Sequence, residues 1–218
     1  DWGRRHVLDP VMLGRVTGRG FARALDVGCG EGRFCRMLAA AGASCVGIDP
    51  ASAMIEEARR RDPRGDYRIG NAEALAFEEA SFDLVASYLS LIDIPDFRAA
   101  IREMRRVLKP GGTLLIANLT GFNTAAVGNG WVADADGTRR HFAIDRYLDE
   151  FPAWVEWSGI RVRNWHRPLG AYMTALLDQG LRLAFFAEPE ASSGDAAGRA
   201  ALRRLPFFLV MEWQAPPG

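Results

Sequence analysis

Ala24-Leu25-Asp26-Val27-Gly28-Cys29-Gly30-Glu31-Gly32-Arg33-Phe34 is the stretch on which the fold turns. Residues 24–27 read as a short apolar strand that the glycines stop. Phe34, Met37, Leu38 and Ala41 then recur at helical spacing, and Gly42 supplies a stop. A strand, a glycine turn and a helix make the first unit of a parallel sheet with helices on its faces. The glycines let the backbone approach a ligand closely, and the helix that follows presents free N–H groups. Asp26 sits inside the strand just before the loop, where a buried carboxylate needs a partner. A cationic amino group on a ligand provides one, with N–H groups of the loop the alternative.

The same alternation continues outward. Residues 45–48 form a second strand ending at Asp49. A helix over 52–61 follows, closed by Asp62-Pro63. Residues 67–69 and 82–86 read as the third and fourth strands. A helix with Ile101, Met104, Val107 and Leu108 on one face runs into the turn Lys109-Pro110-Gly111-Gly112, which launches a fifth strand over 113–118. The pattern then breaks. Residues 119–168 hold four of the six tryptophans without strand-helix alternation and read as an inserted substrate-binding cap. A helix over 169–177, a sixth strand over 181–186 and a last strand over 207–213 close the chain. Residues 188–200 read as a mobile loop, and residues 1–20 as an N-terminal helical lid. The expected fold class is α/β, a Rossmann-like doubly wound sheet of seven strands, within a single domain over 1–218.

The chain has 218 residues, 27 basic and 27 acidic side chains, and 49% hydrophobic residues. That is enough apolar material for one sizeable core. A protein that holds a phosphate backbone usually carries a basic excess. The balance here favours a small-molecule partner and no nucleic acid. Clusters such as Arg59-Arg60-Arg61 read as solvated helix faces. Cys29, Cys35 and Cys45 match no zinc or disulfide spacing, so no metal site is expected and a reducing cytoplasm is. No apolar run is long enough to span a bilayer. No signal peptide is legible, and the first residue is Asp1, not Met.

Two further sites complete a nucleoside-binding set. Asp49, at the tip of the second strand, is placed to accept hydrogen bonds from both ribose hydroxyls. Asn71, Ala72 and Glu73 follow the third strand. The Asn71 amide and the Ala72 N–H suit an adenine edge, with Asn71 as a cap of the next turn the alternative.

These residues resemble a family. Leu25-Asp26-Val27-Gly28-Cys29-Gly30-Glu31-Gly32, Val46-Gly47-Ile48-Asp49-Pro50, Asn71-Ala72-Glu73, Phe82-Asp83-Leu84-Val85 and Val107-Leu108-Lys109-Pro110-Gly111-Gly112 are similar to the ordered motifs of class I S-adenosylmethionine-dependent methyltransferases, of the UbiE or small-molecule type. The resemblance covers about residues 22–118. It implies S-adenosylmethionine as cofactor, S-adenosylhomocysteine as product, and an antiparallel last strand. It implies a cofactor site of Asp26, Gly28, Cys29, Gly30, Gly32, Asp49, Pro50, Met54, Asn71, Ala72, Glu73, Tyr88 and Leu89. Asn71 departs from the Asp often found at its position.

Transfer from a sulfonium is an in-line displacement, so the protein supplies alignment and desolvation. His166 is the preferred candidate base, ahead of His141 and His6. Tyr88 is a second catalytic candidate, at the tip of strand four. Asp93 is a candidate for steering the acceptor. Trp131, Trp154, Trp157, Trp165 and Tyr172 are the candidate acceptor wall. Arg167, with Arg140 and Arg146, is a candidate for an acceptor carboxylate. The expected reaction is methylation of a small apolar or aromatic molecule on oxygen, with nitrogen or carbon the alternatives. The expected form is a monomer or homodimer without membrane contact. A nicotinamide-dependent oxidoreductase is the competing reading, disfavoured by the G-x-G-x-G spacing.

Overall fold

Strands and helices alternate along the first half of the chain, in a computed structural model that describes residues 2–157 and 159–218, without the side chains of Trp157, Ile160 and Ala201. A π-helical segment, Arg4–Leu8, runs into α1 (Asp9–Gly14). Then come β1 (Arg23–Val27), α2 (Arg33–Ala40), β2 (Ser44–Asp49), α3 (Ser52–Arg61), β3 (Asp66–Ile69), β4 (Phe82–Tyr88), α4 (Phe97–Val107) and β5 (Leu108–Leu119). The apolar spacing decides each element. In α4, Phe97, Ala100, Ile101, Met104 and Val107 share the buried face, and Asp96 caps the start by accepting the Ala99 N–H at 2.9 Å.

The main sheet has seven strands in the order β10-β11-β5-β4-β1-β2-β3, with β10 (Arg182–Ala187) and β11 (Phe208–Gln214) near the C-terminus. Strands β1 to β5 pair in parallel. β11 runs antiparallel to β5, and β10 antiparallel to β11. Only β11 therefore opposes the rest, as expected from the sequence. Helices α4 and α6 (Leu169–Leu177) cover one face, packing Ile101, Met104 and Leu176 on Val85, Leu114 and Ile116. Met12 of α1 and Phe34 and Leu38 of α2 cover the other, against Leu84 and Leu115. Strand order reverses between β1 and β4, and in such sheets the ligand crevice opens at the carboxyl ends of the two strands beside that reversal.

Three expectations are corrected. Lys109-Pro110-Gly111-Gly112 does not precede β5 but lies inside it. Pairing slips from Phe82 with Leu108 to Leu84 with Thr113, and Gly111 takes φ +71° to absorb the extra residues. The region over 119–168 has regular structure: a short helix α5 (Gly121–Thr124) and two antiparallel hairpins. These are β6 (Ala126–Ala133) with β7 (Arg139–Ile144), and β8 (Phe151–Trp157) with β9 (Ile160–His166). Its aromatic richness is strand propensity as much as pocket lining. Finally, the stretch over 188–200 leads into α7 (Ala196–Arg203), capped by Asp195 on the Gly198 N–H at 2.8 Å. It docks on the N-terminal segment, where Trp2 Nε1 donates to Asp195 at 3.1 Å and His6 Nδ1 lies 2.8 Å from the Ser193 hydroxyl. That segment is also anchored from below, because Arg15 and Arg19 hold the buried Glu212 of β11 at 2.6 and 2.8 Å.

Candidate functional site

The glycine loop leaves β1 under backbone constraint. The Gly28 and Cys29 N–H groups both donate to Ile48 O at 2.8 Å, tying the loop to β2. Gly28 has φ +76°, and a Cβ there would lie 2.3 Å from the Ser90 Cβ. Gly32 has φ +77°, and a Cβ there would lie 2.5 Å from the Tyr67 ring. No L side chain fits either place. The Ser90 hydroxyl donates to Val27 O at 2.5 Å, so the turn after β4 closes directly on the loop after β1. Leu89 opens that turn at φ +57°, its N–H donating to Ala117 O at 2.9 Å. Such a conformation is strained for leucine and is held by its surroundings.

Asp26 is the main electrostatic feature. It is 1% exposed. The Cys35 thiol donates to its Oδ2 at 3.4 Å, while Oδ1 is buried without a partner. Burial, aided by repulsion from Asp49, pushes its carboxyl up to about 7. A buried carboxylate with an orphaned oxygen is a ready seat for a cationic amino group, which is what the methionine portion of S-adenosylmethionine carries. Cys29, Cys35 and Cys45 are free thiols. The first two are buried; contact with Cys35 and burial suppress the acidity of Cys29, while for Cys35 the contact with Cys29 favours ionisation and is outweighed by the contact with Cys45 and by burial.

Asp49 is half-buried at the tip of β2. Its Oδ2 accepts the Gly30 N–H and its Oδ1 the Ala51 N–H, each at 2.9 Å. Each carboxylate oxygen has a second lone pair, so two hydroxyls can still be received. Pro50 is exposed and Met54, on α3, is 47% exposed beside it. Asn71 Oδ1 accepts the Glu73 N–H at 3.0 Å in a local turn, leaving its amide nitrogen for any ligand contact. Ala72 is buried. Glu73 accepts the Asp96 N–H at 2.8 Å and so ties this loop to the start of α4. Asp49→Ala is expected to weaken donor binding roughly 30-fold, since it removes charge-assisted hydrogen bonds to ligand and loop alike. Calorimetric titration with S-adenosylmethionine measures this, and an unchanged dissociation constant refutes the role.

Residues without a motif complete the cleft. Asp9 of α1 is buried and receives Arg33 through both guanidinium nitrogens and the Tyr88 hydroxyl at 2.7 Å. Burial opposes ionisation of Asp9, but these contacts outweigh it and hold the carboxyl below its usual value. Arg33 follows the glycine loop directly, so the N-terminal segment is fastened to the loop and to the tip of β4. The one sequence signal for Asp9 was its place beside Pro10 at a helix start. Tyr88, expected as a catalytic group, thus has its hydroxyl engaged with Asp9. Its proton is given to Asp9, its ring packs edge-on to Phe34 at 5.0 Å, and burial raises it further.

The acceptor-side candidates do not all meet: Trp165 and Tyr172 lie about the Arg167 guanidinium, while Trp131 and Trp154 pack on their own hairpins. His166 is 1% exposed, with Nδ1 2.7 Å from the Thr124 hydroxyl and Nε2 2.9 Å from Tyr147 O. Both nitrogens are engaged, so His166 braces the cap and is not placed as a base. Arg167 donates to backbone carbonyls, and Tyr172 packs on Phe97 in the core. Trp131 lies against Phe142 within its own hairpin, with the Arg204 guanidinium 4.5 Å above the ring. Trp154 is 60% exposed beneath Arg161. Trp165 is half-buried against Arg167. The Trp157 side chain lies outside the described residues. Arg140 and Arg146 pair with Asp134 and Asp149. His141 is exposed on β7.

Asp93 takes the place these residues leave. It is exposed in the turn after β4, yet desolvation by the surrounding protein, with repulsion from Asp49, pushes its carboxyl up to about 6. A perturbed carboxyl in a concave site is a functional candidate.

Comparison with known proteins identifies the family. The methyltransferase domain family matches residues 25–116, which hold the glycine loop, Asp49, Asn71 and Asp93. The ubiquinone biosynthesis O-methyltransferase of Xanthomonas axonopodis pv. citri is 35% identical over 172 residues, 73% of this chain and 72% of that protein. Among solved structures, an S-adenosylmethionine-dependent methyltransferase from Mesorhizobium loti superposes with a TM-score of 0.81 at 30% identity, covering 94% of this chain and 96% of that one. A Listeria monocytogenes structure described in the same terms gives 0.84 at 27% identity, covering 95% and 96%. The chain belongs to the class I S-adenosylmethionine-dependent methyltransferases, and S-adenosylmethionine is its methyl donor.

Proposed function

We propose that this enzyme methylates an acidic hydroxyl, of phenol type, on a small molecule. The supporting observation is the similarity, over 73% of the chain, to an enzyme named for O-methylation. When bound, S-adenosylmethionine supplies a methyl group on a sulfonium, open to in-line displacement. Asp26 holds the donor's amino group, Asp49 its ribose hydroxyls, and the loop over 71–73 its adenine. The turn over 89–93 borders the reacting centre, and Asp93 accepts the proton of the incoming hydroxyl. A base near 6 suits a phenol, which ionises near ~10 as tyrosine does. An aliphatic alcohol lies several units further away.

No helix among the described residues is long and apolar enough to cross a membrane. A water-dissolved enzyme of the cytoplasm, working as monomer or homodimer with no nucleic-acid partner, fits the balanced charge.

The test is a panel of phenols, catechols, amines and enolisable carbon acids, incubated with methyl-labelled donor and read by mass spectrometry. Label on phenolic oxygen supports the proposal; label only on nitrogen or carbon overturns it. The base assignment has its own check. The rate at saturating donor is expected to rise with pH through about 6, because the carboxylate form accepts the proton. Asp93→Asn is expected to lower that rate about 100-fold and abolish the dependence. His166→Phe is expected to lower stability by about 2 kcal/mol, by orphaning Tyr147 O and the Thr124 hydroxyl, while keeping the pH profile. A profile lost with His166 and kept without Asp93 reverses the two roles.

A further inference from the structure

Arg167 is 2% exposed, yet among the described residues its hydrogen bonds go to three carbonyl oxygens and, at 3.5 Å, to the Tyr172 hydroxyl, and not to a carboxylate. Nη1 donates to Leu91 O at 3.2 Å, and Nη2 to Ile94 O at 2.6 Å and Pro95 O at 2.9 Å. Two residues earlier, the Trp165 N–H donates to Ile92 O at 2.7 Å. The junction between β9 and α6 thus receives the carbonyls of residues 91, 92, 94 and 95. The rings of Phe97 and Trp165, 4.4 and 5.2 Å from the guanidinium carbon, share the charge. Burying a cation is costly, and an apolar side chain fills such a space at less cost. What an apolar residue lacks is a planar fork that fixes several acceptors at once.

The held segment is continuous with the turn that meets the donor loop. Ser90 donates to Val27 O, and Gly28 has no room between itself and Ser90. The turn over 89–95 is therefore clamped on one side by the glycine loop and on the other by the end of the cap. We infer that Arg167 is a positioning residue for methyl transfer, setting Leu89 and Asp93 relative to the donor from the cap side. The inference rests on the proposed part of that turn in the reaction. A displacement of about 1 Å there costs on the order of 100-fold in rate and leaves Asp26 and Asp49 untouched.

The test uses Arg167→Ala, Arg167→Met and Arg167→Lys in the full chain. Donor affinity by calorimetry is expected to change little, while kcat on the identified acceptor falls about 100-fold. Millimolar guanidinium ion is expected to restore part of kcat in Arg167→Ala and none in Arg167→Met, whose side chain fills the space. Amide hydrogen exchange over 89–95, measured with S-adenosylmethionine alone, is expected to be faster in all three. Parental kcat in a folded Arg167→Met protein overturns the inference, as does unchanged exchange over 89–95. A fall of donor affinity in proportion to kcat overturns it too, by making Arg167 a support of the donor site alone. Where Arg167→Met does not fold, Arg167→Lys carries the same comparison. If the parent methylates no acceptor, the functional proposal fails, and the exchange measurement still decides the clamp.

Discussion

Asp26→Asn is expected to make the ligand-free protein more stable and its donor complex much weaker. The Asp26 carboxyl is raised from 3.8 to about 7, chiefly by burial. Below about pH 4 the group is protonated in folded and unfolded chains alike and costs nothing. Between about pH 4 and 7 the unfolded chain ionises while the folded chain resists, so stability is lost as pH rises. The full penalty stands at pH 8 and amounts to about 4 kcal/mol by linkage. An amide does not ionise, but it leaves an N–H where Oδ1 now lacks a partner. The expected net gain is about 2 kcal/mol at pH 8, roughly 5 °C in melting temperature; it crosses zero at about pH 5 and becomes a loss of about 2 kcal/mol near pH 4. Donor affinity is expected to fall about 100-fold, the usual scale for removing one member of a buried charge pair. Thermal melts at the two pH values and calorimetry measure both effects. Equal melting temperatures with equal affinities contradict the assignment. The protein would then hold at its donor site a group that costs stability when empty, the common trade between activity and stability.

Gly28→Ala is the second large effect. The new methyl group would need to share space with Ser90, whose Cβ and Oγ lie 2.3 and 2.8 Å from its position. Ser90 has little freedom to retreat, because its hydroxyl is held by Val27 O and lies 2.8 Å from the Ser87 hydroxyl. Left-handed backbone and overpacking together are expected to cost about 3 kcal/mol. The turn over 89–93 shifts with Ser90, so donor binding is expected to be lost as well. Gly30→Ala is the internal comparison. Gly30 also has a positive φ, +53°, but nothing lies within 4 Å of a Cβ there, so only about 1 kcal/mol is expected. Equal melting temperatures for the two variants contradict the close approach.

The donor half of the enzyme was legible because its chemistry is local. The glycine loop, Asp26 and Asp49 each fall beside the strand that carries them, and apolar periodicity marks those strands and helices. The cap was not legible for the opposite reason. Its tryptophans lie on hairpin strands, and a strand's outer face and a pocket wall draw on the same residue types. His166 and Arg167 were read as chemical groups because their identities suggest chemistry. Their partners are Tyr147 O and the carbonyls of residues 91, 94 and 95, and backbone oxygens leave no trace in a sequence. Asp9 and Arg33 were missed similarly, as their pairing spans 24 residues between elements that only the fold brings together. Asp93 was noted as a steering group; desolvation by its surroundings and the repulsion from Asp49 support the proposed role of base.

The central claim is that Asp26 receives the cationic end of S-adenosylmethionine in this cleft. Its most direct test is the donor dissociation constant, measured by calorimetry from pH 5.5 to 8.5 on the parent and Asp26→Asn proteins. Affinity is expected to tighten as pH rises through about 7 in the parent, until the donor's own amino group deprotonates at about 8, and to be weak and nearly level below that pH in the variant. Binding that is level with pH and equal in the two proteins, or a nicotinamide dinucleotide that binds where S-adenosylmethionine does not, would contradict it.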